Sequence, residues 1–103
     1  MEIAGSLALT GSAQQLTSTV EFARAIKFMQ APTNTHPIFW GDSSLDSATN
    51  TGVNGIVPPP TAENPNPERS VDALAHGSPL LMPTFIYVQG ESGETLLWSY
   101  QQA

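Results

Sequence analysis

Pro83-Thr84-Phe85-Ile86-Tyr87-Val88-Gln89, a turn at Gly90-Glu91-Ser92-Gly93, and Thr95-Leu96-Leu97-Trp98-Ser99-Tyr100-Gln101 together decide the fold class. Aromatic and β-branched residues fill both runs, and the short loop between them carries two glycines. Such residues fit a pleated, half-buried surface better than a helix. Two runs of this kind around a short glycine loop predict a β-hairpin.

The reading extends upstream from there. Ser70 to Ala75 reads as a strand with Val71 and Ala73 on one parity, and His76-Gly77-Ser78-Pro79 as a turn. Between Gly55 and Ser70 stand five prolines: Pro58, Pro59, Pro60, Pro65 and Pro67. Proline has no N–H for a strand ladder, so this stretch cannot be a central strand. An extended polyproline II course is expected for it. Ile56-Val57, just before it, is a short apolar contact. Ser44 to Gly55 is a polar connection rich in Gly and Asn. His36 to Trp40 is a compact strand ending at Gly41-Asp42-Ser43.

Val20 to Gln30 supports two readings. As a strand it places Val20, Phe22, Ile26 and Phe28 on one parity, with Arg24 out of place. As a helix it groups Phe22, Ile26 and Met29, with Thr19 as an N-cap. The β character of the flanking chain favours the strand. Glu2 to Leu9 puts Ile3, Leu7 and Leu9 on one parity, interrupted by Gly5. Glycine weakens a strand interior, which suggests a sheet edge. About six to eight short strands separated by turns predict a small antiparallel β-sandwich or barrel-like domain with a Pro-rich extended loop. Residues 1–103 form a single β domain in this reading, with the arm at about 56–69. The expected core is Phe22, Ile26, Phe28, Ile38, Trp40, Phe85, Tyr87, Leu97 and Trp98.

Composition narrows the function classes. The chain has 103 residues, 12% of them charged, and a net charge of -6. Three cations, Arg24, Lys27 and Arg69, cannot neutralise a phosphate backbone, so neither nucleic acid nor an anionic membrane surface is an expected partner. No apolar run approaches the roughly 18 residues of a membrane-spanning helix. Met1-Glu2-Ile3-Ala4-Gly5 has no basic region, so no signal peptide is expected. There is no cysteine, hence no disulfide framework and no thiolate chemistry.

Candidate chemistry is sparse. His36 and His76 are the only histidines, and Asp42 and Asp46 do not complete a recognised ligand spacing. Local backbone hydrogen bonds in turns are expected of the two aspartates. Gly90-Glu91-Ser92-Gly93 falls short of a nucleophile elbow and sits in a turn. Glu91 and Glu94 read as solvated acids that deter edge pairing. No catalytic residue, cofactor site or metal site is therefore expected. Trp40, Trp98, Tyr87 and Tyr100 read first as core and second as a sugar-binding platform.

Several phrases carry a family likeness. Gly11-Ser12-Ala13-Gln14-Gln15-Leu16 precedes a strand containing Ala25-Ile26. Ala31-Pro32-Thr33-Asn34-Thr35-His36-Pro37-Ile38 leads to Gly41-Asp42-Ser43. Ile86-Tyr87-Val88-Gln89-Gly90 leads through Gly93-Glu94-Thr95 to Tyr100. This order resembles small β-sandwich virion structural proteins of tailed bacteriophages, used as capsid decoration (cement) or head and tail accessory subunits. The five prolines between Gly55 and Ser70 depart from that pattern.

The resemblance implies a non-enzymatic capsid decoration protein. It would bind the outer surface of the major capsid protein lattice and stabilise the head. It implies a homo-oligomer, with trimers common, made in the bacterial host cytoplasm and located on the capsid exterior. Other virion subunits are alternative partners: a tail or baseplate subunit, or a fibre or knob attachment. From a different class, a small carbohydrate-binding module is a further alternative. The expected partner-contacting residues are Ile56, Val57, Pro58, Pro59, Pro60, Pro65, Pro67 and Arg69.

Overall fold

A computed structural model describes residues 1–72 and 82–102. Ala73 and the predicted turn at His76-Gly77-Ser78-Pro79 lie outside the described residues. Eight strands follow in order: β1 (Glu2–Ala8), β2 (Gln14–Gln15), β3 (Ala23–Gln30), β4 (Ile38–Asp46), β5 (Thr51–Val57), β6 (Glu68–Asp72), β7 (Tyr87–Gln89) and β8 (Thr95–Gln102). They form two four-stranded antiparallel sheets, ordered β1-β8-β3-β6 and β2-β7-β4-β5. The predicted all-β sandwich is the observed fold.

Alternation builds the core. Ile26 and Phe28 of β3, Leu96 and Tyr100 of β8 and Val71 of β6 point inward from the first sheet. Ile38, Val57 and Val88 meet them from the second. The Phe28 and Trp40 rings stack across the layers, 5.2 Å apart. The strand reading of residues 20–30 is correct from Ala23 onward. The misplaced Arg24 has a cause: the register shifts between Ala23 and Ala25, which turns Ala23 into the core and leaves Arg24 exposed.

Other expectations need correction. The two C-terminal runs are not one hairpin. β7 pairs with β2 and β4, whereas β8 pairs with β1 and β3. The Gly90–Gly93 turn is real, closed by Glu94 N–H to Glu91 O at 3.1 Å, but it carries the chain from one sheet to the other. Pro83–Phe85 is a 3-10 turn, because Pro83 starts it and the Ile86 N–H closes it on the Pro83 carbonyl. Phe22 and Phe85 are not core; they precede β3 and β7 and face solvent. Residues 51–57 are a strand, not a connection. Gly52 adopts φ +65° beside Asp42, Ser44 and Leu45, where any Cβ would collide. That glycine lets the polar end of β4 swell around β5 while the two stay paired.

Candidate interaction surface

The two ends of the sandwich differ in chemistry. One end is polar and interlocked. The buried side chain of Gln30, at the end of β3, donates to the His36 carbonyl at 2.8 Å and the Val57 carbonyl at 3.3 Å. Its oxygen accepts from Asn34 Nδ2 at 2.6 Å. Asn34, also buried, exchanges two bonds with the Thr95 backbone, at 2.6 and 3.1 Å. The Gln30 backbone N–H donates to the Pro67 carbonyl at 2.9 Å, and its carbonyl accepts from Asn66 Nδ2 at 3.1 Å. Among the described residues, no buried side-chain polar atom lacks a partner.

Glu94 closes the rim of this end. Its carboxylate accepts from Thr35 N–H at 2.9 Å, Thr35 Oγ1 at 3.0 Å, His36 N–H at 3.2 Å and His36 Nδ1 at 3.0 Å. The Glu94 side chain is only 13% exposed, whereas the His36 ring is half exposed. Burial pushes the Glu94 carboxyl up, but the bonds from His36 and Thr35 outweigh it, and the carboxyl titrates below its ordinary range. The Glu94 hydrogen bond, opposed by slight desolvation and helped by the charge of Glu91, raises the His36 imidazole above its ordinary value. Glu94 is therefore not the solvated acid the sequence suggested. Its partners lie 58 and 59 residues away, so no local spacing announces them. Glu91 does stay exposed. Asp42 and Asp46 make the expected local turns, to Ser44 N–H and Ala48 N–H. Ser44 bonding holds the Asp42 carboxyl below its usual range.

The opposite end mixes exposed apolar side chains with the Glu21 carboxylate, which accepts from Tyr100 Oη and Gln102 Nε2. Pairing of Ala23 with Gln102, and of Gln102 N–H with the Met1 carbonyl, gathers the start of β1, the start of β3 and the end of β8 there. Tyr87 of β7 lies towards the same end, because Trp40 stacks on Phe28 while its neighbour Gly41 pairs with Tyr87. Phe22 and Phe85 flank this end, 51% and 67% exposed, with Val20 and Met1 also open to solvent.

The expected contact residues divide. Ile56, 48% exposed, stands beside Phe39 on the outer face of the second sheet. Pro65 and Arg69 are exposed, and Pro58, Pro59 and Pro60 are half-buried. Val57 and Pro67 point inward, which removes them from any surface contact. Their carbonyls hold Gln30 instead. The Pro-rich stretch is a strap tying the edge strand β5 of one sheet to the edge strand β6 of the other. The sequence missed the exposed aromatic pair. The sequence carried no signal of it, because both phenylalanines fall inside runs that read as strands, whereas β3 starts at Ala23 and β7 at Tyr87.

Trp40 and Trp98 do not form an open platform: both are half-buried against the core, and Trp98 stacks on Tyr100 at 5.7 Å. Among the described residues, no group of three or more His, Cys, Asp or Glu side chains could hold a metal. No helix among them is long and apolar enough to cross a membrane. No family model, curated protein or solved structure matches the chain.

Proposed function

We propose that this protein is a non-enzymatic assembly subunit that docks onto a larger protein lattice. In its specific form it is a decoration protein on the exterior of a tailed-phage capsid, gripping the major capsid protein and stabilising the head. One observation carries the docking role. Phe22 and Phe85, both more than half exposed, mark one end of a domain whose other large aromatics are packed at least in part. Aromatic side chains are enriched at protein–protein interfaces relative to the rest of a surface. Sparse charge supports the same reading, because few ions need desolvating on assembly. The strap and the strand residues flanking it, with Ile56, Pro65 and Arg69 exposed and Pro58, Pro59 and Pro60 half-buried, add a proline-stiffened second contact. The capsid assignment rests on the family resemblance of the turn and strand-start phrases.

The test is the copy number of the chain in purified virions, measured against the major capsid protein. A ratio near parity, or a simple lattice fraction of it, is expected. A very small ratio moves the protein to the tail or neck, and absence from virions overturns the reading.

A further inference from the structure

Four strands stand at sheet edges: β1, β6, β2 and β5. An unpaired edge is a template for another strand, and proteins usually blunt it with charge, proline, bulges or brevity. Three of these edges are blunted. β6 opens after Pro67 and carries Glu68 and Arg69. β5 has the left-handed Gly52 and an irregular register. β2 is two residues long.

β1 is the least blunted: its one charged side chain, Glu2, stands at its first residue. It runs seven residues, Glu2-Ile3-Ala4-Gly5-Ser6-Leu7-Ala8, in unbroken register with β8 and with no proline, lysine or bulge. Among the described residues, no strand pairs with its other side. Ile3 and Leu7 remain half-buried there, on the inward parity.

We infer that β1 pairs with β1 of a second copy, antiparallel about a twofold axis through Gly5, so that two four-stranded sheets become one of eight. The self-complementarity of the strand selects this occupant. The chain is strongly acidic, so two copies repel unless they meet where acids are few. The β1 edge carries only Glu2. In the Gly5-centred register Glu2 faces Ala8 of the second copy, Ala4 faces Ser6, and Ile3 faces Leu7. No like charges are opposed, and both half-buried aliphatics gain an apolar neighbour. The register also keeps inward parity beside inward parity, so the two cores align. The inference is independent of where, or whether, the protein sits on a virion.

Sedimentation equilibrium of the full chain tests it. The wild-type protein is expected to be a dimer. Ala4→Lys with Ser6→Lys opposes lysines across the axis and weakens association by roughly tenfold or more. Ala4→Glu with Ser6→Lys places opposite charges at the same paired positions and restores the dimer. Both positions are exposed, and circular dichroism verifies that each variant keeps the β fold. A wild-type monomer or trimer, or a dimer unaffected by the paired lysines, overturns the inference.

Discussion

Trp98 lies across Gly5, so that a Cβ on that glycine would stand 2.6 Å from the indole ring. The two residues are register partners on β1 and β8, and both sit on the inward parity. Gly5 is therefore not an interruption of the strand. It is the space that a half-buried tryptophan occupies.

Gly5→Ala separates these two views. In an ordinary strand the change is favourable, because alanine loses less backbone entropy. Here the added methyl must displace a large ring, and the expected loss is about 1–3 kcal/mol of unfolding free energy. Urea denaturation measures it. Combining Gly5→Ala with Trp98→Phe recovers part of the loss if the ring is the obstacle, whereas simple additivity would place the strain elsewhere.

The His36–Glu94 pair makes stability depend on pH in a bounded window. His36 is raised in the folded protein, so its contribution is complete below the unfolded value of about 6.5 and fades as pH rises through the folded value. Glu94 is lowered, so its contribution is complete above the unfolded value of about 4.5 and fades as pH falls through the folded value. Both are fully present between these limits. Thermal melts across pH should show the wild-type advantage over His36→Ala largest in this window and smaller on the alkaline side. A difference independent of pH would show that the imidazole does not act through its charge.

Phe22→Ser and Phe85→Ser separate docking from folding. Both side chains are largely solvent-exposed, so the double variant should retain unfolding free energy within about 1 kcal/mol of wild type. Its occupancy on purified capsid shells should fall several-fold. A large loss of stability would return the aromatics to the core, and unchanged occupancy would move the docking surface to the strap.

The sequence made period-two patterns legible wherever one face was buried. Ile26 and Phe28 on β3 are inward as their parity required, and so is Ile38 on β4. Parity does not reveal which sheet a strand joins. Val88 and Leu96 are both buried, yet they belong to opposite layers, and only long-range pairing separates them. Pattern also fails outside the ladder. Phe22 and Phe85 look like core residues by type but sit where no neighbouring strand covers them. The polar end was hidden for a similar reason. Gln30 lies at a position where parity calls for an apolar side chain, and its partners come from loops and the end of β5, up to 37 residues away.

The order of the strands has a consequence for how the chain matures. β8, the last of these eight strands in chain order, is the inner neighbour of both β1 and β3. Until it leaves the ribosome, β1 has no ladder partner among the described strands and β3 has only β6. The first sheet therefore closes only once β8 has been made, and a polypeptide that stops short of Thr95 carries β1 without its partner in that sheet.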